Sequence, residues 1–438
     1  MLHSKNESLK NDIYQPYLTI NTNIALNKPA KINGSYKKLT YPKIGIYNGA
    51  GASHSWLWFV DILDSMGFFD IEFVDEQHIK NGGLKNLQVL LLSGGDTFAI
   101  AESLGKEGAE KIRVFLEEGG LYIGSCAGAY LPLKSSLTPL NLFNFTAVKI
   151  NNLTKSLPDP VTLPEKFCTS YGCQYVFHPV REEVKISLTD STIYQQNGEL
   201  VAPIYGGPSF LPSENAKTLA IYTGFTKQTL FMTDQQLAYD TLIGKSAVIT
   251  NKLGDGHLFL LGPHLEHPHY FKANTLIADM IYYGIREREV TSSFSIPSIE
   301  TSECKNLNTL WRDIKSQVSN SRIVTFSLER NPITWLIGKK VYEPLKIRAF
   351  LEMVWARFPH LEQLSGRADI NELINLRNSF KEITRMLKEI KRAVDQGIDT
   401  TDKASTLFAT IKNSCALFFA IYFNNKLSSA RENNRFYN

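Results

Sequence analysis

Cys126 stands in Leu121-Tyr122-Ile123-Gly124-Ser125-Cys126-Ala127-Gly128-Ala129, an apolar run that stops at a small residue, turns through one cysteine and restarts in helix-forming residues. A thiol between a strand end and a helix start, with Gly124 and Gly128 on either side, fits a nucleophile elbow: small neighbours keep the turn tight and the sulfur accessible. The helix dipole would favour the thiolate. A buried structural cysteine is the alternative, since free cysteine is among the most buried residue types. Attack on an amide also needs a base within hydrogen-bond reach, a group to orient that base, and donors for the developing oxyanion. His264 and Glu266, in Gly262-Pro263-His264-Leu265-Glu266, would be base and orienter, the carboxylate fixing the imidazole tautomer. Gly94 or Gly95, in Ser93-Gly94-Gly95-Asp96, with Ala127 after the cysteine, would present backbone N–H groups to the oxyanion.

For these segments to meet, they must end neighbouring strands of one parallel sheet. From Lys43 the sequence has that texture. Short, nearly continuous apolar runs at Ile44–Tyr47, Ile71–Val74, Val89–Leu92 and Leu121–Ser125 alternate with helical stretches at His54–Met66 and Glu107–Glu118. Such strands indicate a sheet covered on both faces, whose ligands bind beyond the carboxyl ends of the strands. Residues 145–250 read differently, as short alternating segments such as Lys185–Leu188 and Leu219–Tyr222 between Gly and Pro turns, so an antiparallel extension is expected. The run Gly256–Gly262 resumes the parallel sheet and delivers His264, and Tyr270–Tyr283 closes it as a helix.

The motifs Tyr47-Asn48-Gly49-Ala50-Gly51, Ser93-Gly94-Gly95-Asp96, Gly124-Ser125-Cys126-Ala127-Gly128-Ala129-Tyr130, Tyr205-Gly206-Gly207-Pro208-Ser209-Phe210 and Gly262-Pro263-His264-Leu265-Glu266 occur in order over about residues 42 to 285. The chain here resembles the class I glutamine amidotransferase-like superfamily and, within it, the N-terminal domain of eukaryotic-type biotin-protein ligases. The resemblance implies a flavodoxin-like domain with Cys126 as nucleophile, His264 as base, Glu266 as its orienter and the Gly94/Gly95 turn with Ala127 as oxyanion hole. Asn48, Asp96, Tyr205, Gly206 and Gly207 are expected to line the substrate's position, Tyr205 offering its hydroxyl; for residues 206–208 a structural Gly-Gly-Pro turn is the alternative reading. Glutamine hydrolysis is not implied, because Asp96 stands where a glutaminase has a different loop. Biotin ligation is not implied either: the ligase's G-R-G-R-type nucleotide loop is absent and the tail reads as helices.

Around this domain, residues 1–41 read as a partly disordered arm rich in Asn, Lys, Ser and Thr, 42–290 as the amidotransferase-like domain, 291–305 as a linker and 306–438 as an all-α bundle. The stripe Leu373, Leu376, Phe380, Ile383, Leu387, Ile390, Val394 and the stripe Phe408, Ile411, Cys415, Phe418, Tyr422, separated by Gln396–Asp399, predict an antiparallel helical hairpin, with further helices from about Leu307 and Glu343. Ile323–Phe326 carries the tail's one strand signal.

The 438 residues, 43% hydrophobic, can bury a large core in two or three domains. Five cysteines, odd in number and unevenly spaced, argue for a reducing compartment, and a cytoplasmic protein is expected. No metal and no cofactor is expected: Cys168 and Cys173 lack a second cluster, and His264, His267 and His269 lack the i, i+4 helical spacing of ligands. His54 opens the helix after the first strand and reads as an exposed first-turn residue, with lining of the pocket as the alternative. No transmembrane segment is expected, the longest apolar run being Ala416–Phe423. Charge divides unevenly, with 25 Lys+Arg against 29 Asp+Glu before residue 301 and 22 against 14 after it. The basic tail could dock an acidic protein partner, or be a solvated face; nucleic acid is not expected.

The leading expectation is therefore a cysteine hydrolase or transferase acting on the C–N bond of a small-molecule or peptide amide. The alternative is a catalytically silent module that holds a ligand or partner; a bacterial protein delivered to a host without a classical signal peptide is a further reading.

Overall fold

The computed structural model describes residues 31–32, 35–36, 41–151, 178–190, 198–285, 304–338, 340–363 and 368–435. Most of the expected N-terminal arm and linker, as well as Cys168 and Cys173, lie outside these residues.

Four of the apolar runs form strands over the expected residues: β1 (Ile44–Tyr47), β2 (Ile71–Val74), β3 (Val89–Leu92) and β4 (Leu121–Ser125). Between them lie α1 (Trp56–Met66), the short α2 (Glu76–Lys80) and α3 (Thr97–Glu117). α3 begins ten residues earlier than its sequence pattern suggested, because Asp96 caps it: Oδ1 accepts from the N–H groups of Phe98 and Ala99 at 3.1 and 3.2 Å. Gly105, at φ 59°, then breaks the helix and hides its periodicity. A four-residue helix, α4 (Ala127–Tyr130), follows Cys126.

The antiparallel extension comprises β5 (Val180–Leu188), β6 (Glu199–Ile204), β7 (Ala216–Phe225), α5 (Gln235–Leu242) and β8 (Ser246–Leu253). β9 (Gly256–Leu261) returns to the parallel sheet and α6 (Phe271–Ile285) follows. β2, β1, β3, β4 and β9 lie side by side, all parallel, and β9 pairs antiparallel with β8, which continues to β7 and β5. With short flanking strands, this is one twelve-stranded mixed sheet. The order 2-1-3-4 followed by a late fifth strand is flavodoxin-like, and it places the ends of β3, β4 and β9 side by side. β1 and β3 are buried on both faces, as expected of a covered parallel sheet.

The tail is helical: α7 (Cys304–Leu328), α8 (Pro344–Trp355), α9 (Phe358–Gln363), α10 (Ile370–Asp395) and α11 (Thr401–Arg435). The hairpin of α10 and α11 takes the expected place, but Ile323–Phe326 lies inside α7. The tail does contain strands, as the small hairpin β10 (Trp335–Ile337) and β11 (Lys340–Tyr342). Although α11 is long and apolar enough to cross a membrane, 61% of that apolar stretch is buried in the protein. Phe419 packs on Trp56 of α1 and on Phe73 of β2, and Phe423 also meets Phe73. The bundle and the sheet therefore share one apolar core.

Charges seal this seam. Arg357, 4% exposed, reaches Asp61 at 3.0 Å and Asp64 at 3.3 Å, while Tyr422 donates to Asp64 at 2.9 Å. Lys426 and Arg431 approach Asp64 and Asp70 at 3.5 and 3.2 Å. Burial pushes the Asp61 carboxyl up, and Arg357 opposes it. Arg357→Ala, by leaving buried carboxylates without their counter-charge, is expected to cost about 3–5 kcal/mol. A lowered urea-unfolding midpoint, partly restored by combining Arg357→Met with Asp61→Asn, is the measurement.

Candidate active site

β4 ends at Ser125 and the backbone turns at Cys126 through φ 52° and ψ −108°, a conformation that costs a non-glycine residue energy. The Cys126 N–H is held on the Leu261 carbonyl at 3.0 Å, so the elbow is tied to the end of β9, from which His264 hangs. Cys126 is 8% exposed, and its side chain is hydrogen-bonded to His264.

His264 Nδ1 donates to Glu266 Oε1 at 2.7 Å, and Ser125 Oγ lies 3.1 Å from the same nitrogen. With the carboxylate fixing the hydrogen on Nδ1, Nε2 is left for the thiol. Glu266 is wholly buried and also accepts from Ser93 Oγ at 3.1 Å. Ser93 Oγ lies 2.8 Å from Ser55 Oγ, and Ser53 and Ser55 both donate to the Gly94 carbonyl. A line of hydroxyls thus fixes the carboxylate from behind and pins the Gly94 turn.

Burial alone would push the Cys126 thiol up, but the charge and hydrogen bond of His264 outweigh it and hold the thiol below its ordinary value. Burial would depress His264, yet Glu266 and Cys126 on its two sides raise it to about 10. Both shifts favour a thiolate–imidazolium pair.

Gly94 leaves room for this imidazole: a Cβ there would come within 3.0 Å of His264 Cε1. Gly95 bridges to Ala52, and Ala127 opens α4. No hydrogen bond among the described residues uses the N–H of Gly94, Gly95 or Ala127.

The residues expected to line the substrate's position divide. The Tyr205 ring faces His264, its centroid 5.6 Å from the imidazole's, but its hydroxyl donates to Glu182 at 3.2 Å instead of facing the thiol. Gly206 and Gly207 are not in the cavity wall: the Gly206 carbonyl accepts from Tyr130, and Gly207 lies so close to the Gly262 carbonyl that a Cβ would sit 1.8 Å from it. They hold the loop against the end of β9. Asn48 is buried, with its N–H on the Val74 carbonyl, and lies outside the cavity as well. Asp96 caps α3 and lines a separate, adjoining space.

Other residues also line the space over Cys126. His54 is buried, not exposed, and Trp58, one helical turn on, stands edge-on to His264 at 5.1 Å. Lys340 of β11 and Lys346 of α8 complete the wall, so the bundle closes the site. The space over Cys126 is about 20 Å³, room for one water. Beside it, sharing His54 and Lys340, is a cavity of about 260 Å³ between the sheet and the bundle. Among the described residues, no three His, Cys, Asp or Glu side chains converge on a point where a metal could sit.

A flavodoxin-like sheet whose fourth strand ends at a cysteine of positive φ defines an α/β domain. Within it, residues 43–137 match the family model of the biotin-protein ligase N-terminal domain. Comparison with curated proteins gives no match. Among solved structures, the β-galactosidase of Bacillus circulans sp. alkalophilus is 14% identical with a TM-score of 0.32, over 55% of this chain and 31% of that one. The β-galactosidase of Rahnella sp. R3 is 11% identical at 0.31, over 56% and 32%. The exo-β-1,4-mannosidase of Opitutaceae bacterium strain TAV5 is 10% identical at 0.29, over 56% and 36%. The chain thus spans about a third of the length of these enzymes, and at such scores no activity is inferred from them.

The strain at Cys126 is measurable. Cys126→Gly, free of the Cβ penalty at positive φ, should be more stable than Cys126→Ala by about 1 kcal/mol. Equal thermal midpoints for the two variants would show that the elbow stores no strain.

Proposed function

We propose that the protein is a cysteine-dependent acyl hydrolase or transferase acting on an amide C–N bond. The reading is carried by the hydrogen-bonded line Cys126, His264 and Glu266 across the ends of β4 and β9. In it, the Cys126 thiolate attacks the carbonyl carbon, forming a C–S bond, while the N–H groups of Gly94 or Gly95 and of Ala127 receive the oxyanion. The C–N bond breaks as His264 gives its Nε2 proton to the leaving amine, and a thioester remains. Water or an acceptor amine, deprotonated by His264, resolves the thioester and regenerates the thiol. Glu266 acts through His264, holding its tautomer and balancing the imidazolium.

A second reading, a binding module without turnover, is favoured by one observation. The space over Cys126 holds about one water, so an amide enters only when the bundle wall yields.

The electrostatics give the test. The pairing with His264 lowers the thiol, so iodoacetamide should alkylate Cys126 with a midpoint below the ordinary thiol value. His264→Ala leaves burial unopposed by the imidazolium, so the midpoint should move above that value. An identical profile in both proteins would argue for an uncoupled cysteine. Intact-mass measurement after incubation with candidate amides should show an acyl adduct that Cys126→Ser abolishes; alkylation without any adduct supports the binding reading.

A further inference from the structure

We propose that the substrate is a carboxylate-bearing amide, and that Lys340 and Lys346 of the C-terminal bundle bind its carboxylate beside Cys126. This rests on Cys126 being the nucleophile of an acyl transfer, and specifies the acyl compound.

The wall of the small space over Cys126 contains two lysines and no Asp or Glu. Lys340 is half-buried, lines both this space and the larger cavity, and forms no ion pair among the described residues. Lys346 is 4% exposed; its Nζ donates to the Val341 carbonyl and lies 5.0 Å from the centre of the Tyr342 ring. An ammonium has three hydrogens, so a carbonyl and a ring do not exhaust it. Burial, and then Lys340, push Lys346 down to about 7, while Glu343 opposes them. Two cations lining one small, largely buried space are unfavourable until an anion joins them.

The larger cavity has room for the rest of a small molecule. Ile337, Phe350 and Phe408 give it apolar walls; Lys412, already engaged by the Gly49 carbonyl at 2.7 Å, and the carboxylate of Asp96 also line it, so the ligand's own carboxylate belongs at the Lys340 and Lys346 end. A carboxylate suits this site better than a phosphate. No arginine lines either space, and the first N–H groups of α3 are occupied by Asp96. A phosphate dianion would need such forks or helix N–H groups for its oxygens.

Two alkylating agents that differ only in charge test this on the full chain. Iodoacetate and iodoacetamide react alike, the thiolate sulfur forming a C–S bond as the C–I bond breaks and iodide leaves, but only iodoacetate carries a carboxylate. The readout is the ratio of their rates, since losing a lysine also shifts the thiol. At a pH where Cys126 is ionised, the ratio should exceed that of glutathione by about tenfold, fall about tenfold in Lys340→Gln and Lys346→Gln, and return in Lys340→Arg. Succinate, and not inorganic phosphate, should protect Cys126 from iodoacetamide. A ratio equal to that of glutathione in every form overturns the inference while leaving the nucleophile intact. Protection by phosphate alone overturns the carboxylate. Silence towards both reagents in the native chain removes the nucleophile reading, and this inference with it.

Discussion

Glu266 is a carboxylate with no exposure to solvent, and a buried charge must be compensated where it sits. His264 answers it at 2.7 Å, Cys126 answers His264, and Lys340 contributes to the pull on the thiol. Acidic and basic groups alternate outward from the sheet's end to the bundle wall: Glu266 and Cys126 raise the imidazole, and His264 and Lys340 lower the thiol. Removing one member changes the preferred state of its neighbours, so the residues behave as a unit even though they come from β4, β9 and β11 and their adjoining loops. The serines behind Glu266 complete the line by fixing one carboxylate oxygen without adding charge.

That arrangement requires backbone to be brought close to backbone. The N–H of Cys126 on the Leu261 carbonyl, and Gly207 against Gly262, join the elbow, the antiparallel extension and the end of β9 within a few ångströms. The flavodoxin-like order makes such convergence available, because β3, β4 and β9 are neighbours ending at one edge. The extension keeps it in place: Tyr205 supplies a ring to the site while its hydroxyl is anchored on Glu182.

Much of this was legible in the sequence, for identifiable reasons. β1, β3 and β4 are buried on both faces and so are nearly continuous apolar runs, which lets their ends be set to the residue. The elbow and the late His-x-Glu segment could be placed at strand ends because strand and motif are adjacent in sequence. Asn48, Gly206 and Gly207 stand in motifs that suggest substrate contact, and in the structure their backbones pair or pack against neighbouring backbone and side chains. Asp96 both caps α3 and lines the larger cavity, two roles that look alike in one dimension. Trp58 could have been found, one turn beyond His54 on the same helix face. Lys340 and Lys346 could not: nothing local distinguishes a lysine that closes a site more than two hundred residues away in sequence from one that faces water. The same closure explains why His54 is buried.

The seam also changes what the tail's positive charge means. The first three hundred residues carry a net −4 and the remainder +8, as the counts of 25 against 29 and 22 against 14 give. Arg357, Lys426 and Arg431 lie on carboxylates of the acidic part. The two parts are thus one another's counterions, and the intact molecule, at +4, carries half the net charge of the bundle alone. A fragment holding only the bundle would bare cations and aromatic rings together, and its affinity for polyanions or acidic surfaces would be a property of the cut.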